Sequence, residues 1–180
     1  MSERVRIEIQ TPQGTFSGYK NTTTPNGLYF ATRGGLFDKD DDDYDDLVCL
    51  SGPDGFLFFA HGTIRPFTTA VSNFGTMVVG DRLKLSNELK CRVLVYSQTG
   101  ERLFSKRFQR NCSQVGISPE GRIVVVGTMN PGSCIRVIEV ASARVISKVE
   151  GCLFDTVHVD EQARTITDTR HDGQVFKFSW

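Results

Sequence analysis

A repeat of predicted hairpins runs through the sequence and restricts the folds that the chain can adopt. The segments VLVYSQTGERLFSKRF (93–108) and IRVIEVASARVISKVE (135–150) align without a gap at an offset of 42 residues. In each segment, one short run of strand-forming residues precedes a turn and a second run follows it. The segments 48–63 and 5–20 have the same form, so four predicted hairpins recur every 42 to 45 residues.

A second repeating unit, which we interpret as strand, tight turn and strand, lies between the hairpins. Its four copies cover residues 22–35, 68–81, 113–128 and 155–169. Gly27, Gly75 and Gly121 occupy the first three turns, where glycine adopts a positive φ at no steric cost, and Ala163 stands in the fourth. Each repeat then holds four short strands, and no segment has helical periodicity. We predict an all-β fold of one domain, residues 1–180.

Four strands per repeat, with a period in the forties, are typical of a β-propeller blade. The segment SPEGRIVVVGT…IRVIEVASARVISKVEG (118–151) resembles the WD-repeat-like propeller superfamily, and the resemblance covers almost the whole chain. No Gly-His precedes the blades, and the third strands end without Trp-Asp, in Leu50-Ser51, Tyr96-Ser97 and Ile138-Glu139. The nearer match is therefore the degenerate class of propeller repeats, which implies about four antiparallel blades of four strands.

The strand count predicts an incomplete ring. The sequence begins with the third and outer strands of one blade, passes through three whole blades and ends in a third strand at 174–180. Because one terminus of a propeller commonly completes the blade of the other, these ends are expected to be complementary fragments. Three arrangements stay open: a four-bladed ring, two chains joined as half-rings, and an open or irregular sheet. We favour the half-rings, and so predict a homodimer whose interface consists of blade faces.

Composition narrows the class of protein. The five cysteines are odd in number and form no CxxC, which favours neither a disulfide framework nor a zinc site and indicates a reducing compartment. The 21 basic and 21 acidic residues balance, so a nucleic-acid partner is not expected. No apolar run approaches the ~20 residues of a membrane span, and residues 1–10 lack the apolar region of a signal peptide. We therefore predict a cytoplasmic protein without membrane contact.

The segment FDKDDDDYDD (37–46) carries seven aspartates in the predicted loop between the second and third strands of the first complete blade. Such a cluster repels itself and stays hydrated unless a cation or a basic surface neutralises it. A solvated loop, contact with a basic partner and a calcium site are the three interpretations, and no other cofactor is predicted. The candidate metal ligands are Asp38, Asp40, Asp42 and Asp45, and the candidates for binding a basic surface are Asp41, Asp43 and Asp46.

A basic segment, ERLFSKRFQR (101–110), follows one outer strand. Its four cationic residues are Arg102, Lys106, Arg107 and Arg110. The ordinary interpretation is protection of a sheet edge, since charge on outer strands discourages pairing with other chains. The sharper hypothesis is that the aspartate segment of one chain contacts these residues in another.

The three histidines form no catalytic or metal-binding motif. His61, His158 and His171 lie outside HExxH, metal-ligand pairs and GxSxG elbows. Strand alternation puts His158 and Asp160 on one face of a strand. The first strand of a propeller blade lines the central channel, so this pair is a candidate for binding there, with a structural histidine in the core as the alternative.

The sequence favours a non-catalytic interaction or scaffold module that associates with itself and binds another protein. A metal-dependent lactonase or sugar-acid enzyme, which resembles this fold class, is one alternative. Such an enzyme needs carboxylates, Asn and His pointing inward from different blades, whereas the acids here cluster in one loop. A small-molecule binding protein, with its ligand in the channel, is the other alternative.

Overall fold

The computed structural model describes residues 6–36, 47–83, 90–129, 132–152, 154, 156–170 and 172–180. In these residues the regular secondary structure is entirely β-strand, and none forms a helix long and apolar enough to cross a membrane. In chain order the strands are β1 (Arg6–Thr11), β2 (Gly14–Thr23), β3 (Phe30–Leu36), β4 (Leu47–Gly52), β5 (Gly55–Phe59), β6 (Pro66–Val71), β7 (Met77–Arg82), β8 (Cys91–Tyr96), β9 (Arg102–Phe108), β10 (Asn111–Ile117), β11 (Ile123–Met129), β12 (Cys134–Glu139), β13 (Arg144–Glu150), β14 (Thr156–Asp160), β15 (Thr165–Thr169) and β16 (Val175–Ser179).

The strands form antiparallel sheets in which neighbours along the chain are neighbours in space. The first sheet is β1-β2-β3-β4-β5, the second β6-β7-β8-β9, the third β10-β11-β12-β13 and the fourth β14-β15-β16. The predicted all-β class with four-stranded antiparallel sheets is thus confirmed in the second and third sheets.

The turn glycines adopt the predicted backbone conformation. Gly27, Gly75 and Gly121 have φ values of 73°, 77° and 78°, a region that other residues enter only at a steric cost. In the fourth sheet, where the sequence has no glycine at this turn, Arg164 takes the left-handed conformation, with φ of 50°. The left-handed residue of this turn is therefore an arginine, whereas it is a glycine in the other three turns.

The sheets stack face to face in chain order, and apolar side chains fill each interface. Leu50 and Val79 belong to the cluster between the first and second sheets, Val93 and Val126 to the next, and Ile135 and Ile166 to the last. The β-branched run of β11 is buried along nearly its whole length, because neighbouring sheets cover both of its faces. Its continuous apolar pattern, rather than alternation, follows from this double burial.

Strand β2 and the first strands of the other three sheets lie side by side. Thr22 Oγ1 in β2 donates a 2.7 Å hydrogen bond to the carbonyl oxygen of Thr69 in β6. Thr68, also in β6, donates to Gln114 Oε1 in β10. Further along β10, Gly116 leaves room for Val157 of β14, because a Cβ built on this glycine would overlap the valine Cγ1. A series of inner strands, β2, β6, β10 and β14, therefore joins the four sheets.

The prediction that the first hairpin is a separate fragment of another blade is wrong. The ten-residue strand β2 pairs along one edge with β1 and along the other with β3, so the hairpin belongs to the first sheet. This sheet curls until β1 contacts β5. Ile9, Phe16 and Cys49 form a further buried cluster there, with the rings of Phe16 and Phe59 5.4 Å apart. The hairpin thus extends the first sheet and contributes to the apolar cluster on one of its faces.

The fourth sheet has one apolar and one polar face. Val159, Ile166 and Phe178 lie opposite one another in register and belong to the cluster against the third sheet. On the other face, the corresponding row consists of His158, Thr167 and Lys177. His158 and Lys177 are exposed. The row of stacked sheets therefore has a polar outer face on this side.

Candidate functional site

The aspartate segment 37–46 lies outside the described residues. The hypotheses of a calcium site or a basic partner therefore stay predictions for Asp38, Asp40, Asp41, Asp42, Asp43, Asp45 and Asp46. In the parts of the chain that the structure describes, no group of three or more His, Cys, Asp or Glu side chains comes together as metal ligands do.

The basic residues of the predicted outer strand divide between contacts within the chain and solvent. Lys106 Nζ donates a 3.1 Å hydrogen bond to the carbonyl oxygen of Ala143 in the third sheet. Arg110 reaches Glu150, also in the third sheet, at 3.5 Å. Arg102 and Arg107 are exposed. Two of the four cations thus link neighbouring sheets within the chain, and two face solvent.

His158 and Asp160 share a face of β14, as strand alternation predicts, and both are exposed on the polar side of the fourth sheet. The carboxylate of Asp160 accepts a 2.9 Å hydrogen bond from the backbone N–H of Ala163 in the following turn. His158 is therefore not a core residue.

A row of linked turns crosses one end of the stacked sheets. It consists of the turns that follow strands β2, β6, β10 and β14, at 24–29, 72–76, 118–122 and 161–164, and we name it the turn row. Asn26 donates two hydrogen bonds of 3.2 Å to Asn73, one from its backbone N–H to Oδ1 and one from its side-chain Nδ2 to the carbonyl oxygen. The N–H of Asn73 donates to the carbonyl oxygen of Pro119 at 2.9 Å, and Ser118 Oγ donates to Glu161. Four separate hairpin turns therefore become one continuous surface.

Each of the first three turns is also braced internally by a Ser or Thr hydroxyl. Ser72 Oγ accepts from the N–H groups of Phe74 and Thr76 at 3.3 and 3.0 Å. Ser118 Oγ accepts in the same way from Arg122 and Ile123 at 3.2 and 3.1 Å. The sequence signal that locates these turns is [ST]-x-x-G, as in TPNG (24–27), SNFG (72–75) and SPEG (118–121).

The turn row carries two exposed apolar side chains. Phe74 is 64% exposed and Leu28 is 49% exposed, and the turns that hold them are joined through Asn73 and Asn26. Gly75, next to Phe74, packs against Gln98 and Tyr29 so closely that a Cβ there would be 3.0–3.2 Å from them. The aromatic ring of Phe74 is thus displayed to solvent on a backbone that is fixed on several sides.

A cleft of about 400 Å³ opens beside the turn row, between the third and fourth sheets. It is lined by Gly121, Arg122, Ile123, Glu139, Val140, Ala141 and Glu161, and we name it the acidic cleft. Arg122 Nε lies 2.6 Å from Glu161 Oε2, and Ser142 Oγ donates to Glu139 Oε2 at 2.6 Å. Apolar residues form the rest of its lining. The hydrogen bond from the N–H of Val140 to the carbonyl oxygen of Arg122, at 2.8 Å, joins its two sides.

The lining of the acidic cleft combines charged and apolar groups. It holds two carboxylates and one guanidinium beside apolar side chains. No protein-family model matches the chain, and no curated protein matches it in sequence. The assignment of a role to this end of the molecule therefore depends on its geometry.

Proposed function

We propose that the stacked sheets are blades of a propeller-like fold and that the chain is a non-catalytic protein-interaction module. A partner protein docks on the turn row. The observation that carries this proposal is the 64% exposure of Phe74 on a turn that hydrogen bonds fix to the turns before and after it.

The energetics of docking favour this surface. Burial of a Phe or Leu side chain against a partner contributes roughly 1.5–3 kcal/mol relative to its exposed state. Because the turns are already held in place by hydrogen bonds, little backbone entropy is lost when the partner binds. Aromatic side chains on rigid supports commonly dominate the binding energy of protein interfaces. Phe74 is therefore the expected anchor of the interface, with Leu28 beside it.

The side-by-side arrangement of β2, β6, β10 and β14 supports the propeller-like interpretation. In a propeller one strand from each successive blade lines the central axis, and each blade packs its faces on its neighbours. The apolar clusters between successive sheets fit this arrangement. The turn row then lies around the mouth of the axis, where propeller proteins present loops to partners.

Two features of the stacked sheets bear on the predicted homodimer. The hairpin β1-β2 covers the outer face of the first sheet, and the outer face of the fourth sheet is polar. Both features weigh against docking through flat sheet faces. The dimer stays a prediction, and the absolute mass in solution decides it: twice the chain mass of 20.1 kDa would support it, and 20.1 kDa would contradict it.

The two alternatives, a metal-dependent enzyme and a small-molecule channel protein, also stay predictions. Both need polar side chains that converge from different blades. His158 and Asp160 were predicted from the sequence as residues of a channel, but both face solvent on one outer sheet. We therefore favour the interaction module.

A peptide-display experiment tests the proposed function. A library of random peptides is selected on the wild-type protein, and the selected peptides are then measured against Phe74→Ser and Val175→Ser. Val175, which is 63% exposed at the start of β16, is the matched control away from the turn row. We expect binding to fall at least about tenfold in Phe74→Ser and to persist in Val175→Ser. Absence of any binding peptide, or equal loss in both variants, would overturn the proposal.

A further inference from the structure

The acidic cleft indicates the chemistry of the partner that the turn row binds. We propose that it receives an arginine or lysine side chain from the docked segment, with the charged end at Glu139 and Glu161 and the aliphatic stem on the apolar lining. This inference rests on the proposed function, because it assumes that a protein segment lies along the turn row.

The charges of the cleft favour a cationic guest. Two carboxylates face one guanidinium, so the lining residues carry a net negative charge. The side chain of Glu161 is only 10% exposed, whereas that of its partner Arg122 is 70% exposed. Water therefore screens the guanidinium more than it screens the Glu161 carboxylate. A second cation entering the cleft meets a negative potential that Arg122 only partly offsets.

The two carboxylates are held in place before a guest arrives. Glu161 accepts hydrogen bonds from Ser118 Oγ and Arg122 Nε, and Glu139 accepts one from Ser142 Oγ. A carboxylate oxygen has two acceptor positions, so these bonds orient the groups and leave capacity for a further donor. Such preorganisation lowers the entropy that a charge-assisted hydrogen bond costs on binding.

The apolar part of the lining matches the stem of a long basic side chain. Ile123 is buried, while Val140 and Ala141 are partly or fully open to solvent. Arginine and lysine bury their methylene chains along apolar surface while their charged ends stay at polar groups. A cleft of about 400 Å³ lies at the small end of the usual range for ligand sites, which is roughly 300–1,000 Å³.

The cleft and Phe74 are close enough in the fold to be covered by one partner segment. Gly121, on the cleft lining, packs against the side chains of Thr76 and Ser72, so closely that a Cβ there would lie 2.9–3.0 Å from their hydroxyl oxygens. The N–H of Asn73 is bonded to Pro119 of the same turn. Neighbouring turns of the turn row therefore carry the aromatic anchor and one side of the cleft.

A titration with small probes tests the inference on the intact chain. ¹⁵N-labelled protein is titrated with N-acetyl-arginine amide and, separately, with N-acetyl-citrulline amide, which has nearly the same shape without the charge. We expect saturable shifts of the Gly121, Ile123 and Val140 amides with the arginine probe alone, at dissociation constants on the order of 1–10 mM. Absence of saturable shifts, or equal shifts with citrulline, would overturn the inference.

Two carboxylate variants localise the effect. Glu139→Gln removes the more exposed charge and leaves Glu161 and its bonds in place, so we expect a stable protein whose affinity for the arginine probe is about tenfold weaker. Glu161→Gln is the second variant, with its fold checked by the amide spectrum. An unchanged affinity in Glu139→Gln would contradict the inference.

The two proposals can fail separately. If display peptides lose binding in Phe74→Ser but are indifferent to Glu139→Gln, and no arginine probe binds, the turn row docks a partner and the acidic cleft has no part in it. If the arginine probe binds and no display peptide does, the cleft is a cation site and the proposed function is wrong. In that second case the arginine titration is expected to be unaffected by Phe74→Ser.

Discussion

The guanidinium of Arg92 lies 2.6 Å from the carboxylate of Asp81 where β8 pairs with β7, and Asp81 is buried while the Arg92 side chain is 13% exposed. Asp81 also accepts the backbone N–H groups of Ile64 and Arg65, at distances down to 2.6 Å. Arg92 donates in addition to the carbonyl oxygen of Gly62. One ion pair therefore fixes the connection that leads the chain from the first sheet to the second.

Substitution Asp81→Asn removes the charge that compensates Arg92. We expect the free energy of unfolding to fall by about 2–4 kcal/mol, because a mostly buried guanidinium is left without its counter-ion. The measurement is chemical denaturation followed by circular dichroism. Asp160→Asn, at an exposed carboxylate with one backbone hydrogen bond, serves as the control and is expected to change stability by less than about 0.5 kcal/mol. Similar losses in both variants would contradict the role assigned to Asp81.

Close contact between the third and fourth sheets depends on Gly116. A Cβ at this position overlaps Val157 of β14, so we expect Gly116→Ala to destabilise the protein by about 1–3 kcal/mol. In a Val157→Ala background the overlap is removed, and the cost of Gly116→Ala should fall below about 1 kcal/mol. Denaturation of the four proteins of this double-mutant cycle measures the coupling. Additive effects would show that the two residues do not share this contact.

Ionisation of Tyr96 is expected to lower the stability of the folded protein at alkaline pH. Its hydroxyl donates a 2.6 Å hydrogen bond to the carbonyl oxygen of His61, and burial raises the pKa of Tyr96 from 10.0 to about 12, partly offset by Arg102 and Arg92. The unfolded chain loses this proton near pH 10 and the folded chain only near pH 12. The stabilisation is therefore complete below pH 10 and is lost as the pH rises towards 12.

Tyr96→Phe separates the two contributions of the hydroxyl. We expect the variant to be about 1 kcal/mol less stable at pH 7, through loss of the hydrogen bond, and to lose less stability than wild type between pH 10 and 12. Urea denaturation at a series of pH values measures both effects. Tyr19→Phe, at a side chain that is 47% exposed, is the control. Parallel pH profiles for wild type and Tyr96→Phe would refute the assignment.

Thiol reactivity should follow burial. Burial raises the pKa of Cys49 from 9.0 to about 11, with hydrogen bonds to Ser51 and Thr32 acting in the opposite direction. Near pH 8 its thiolate fraction is then roughly one hundredth of that of an ordinary thiol. We expect iodoacetamide to modify Cys152, the half-buried cysteine, in the native protein. The buried set, expected to react only in denaturant, is Cys49, Cys91, Cys112 and Cys134. Mass spectrometry locates the labels, and rapid native labelling of Cys49 would contradict its burial.

The class of the fold was predictable because strands and turns have characteristic local patterns in the sequence. The run IVVVGT (123–128) makes up all but the last residue of the buried strand β11, and Gly121 marks the turn before it. The first hairpin was misplaced because alternation does not say which strands pair. The ten residues of β2 have two edges, and only the fold shows that β1 takes one and β3 the other.

The candidate site was less predictable than the fold. The [ST]-x-x-G signals locate three members of the turn row, but the bonds from Asn26 to Asn73 and from Ser118 to Glu161 join residues that lie more than forty positions apart. Stacking of the sheets, and not any local motif, brings these residues together. Conversely, the sequence did not show that the cations of the basic segment 101–110 divide between contacts within the chain and solvent.

The curled first sheet has a consequence for biosynthesis. Its apolar cluster around Ile9, Phe16 and Phe59 is built entirely from residues before position 60. A nascent chain can therefore complete this core before the strands of the second sheet have left the ribosome. On the opposite side of the same sheet are Ala31, Val48 and Leu50. These side chains become buried only when the strands of the second sheet pack on them. Translation order and stacking order coincide, so each sheet can assemble on a finished predecessor.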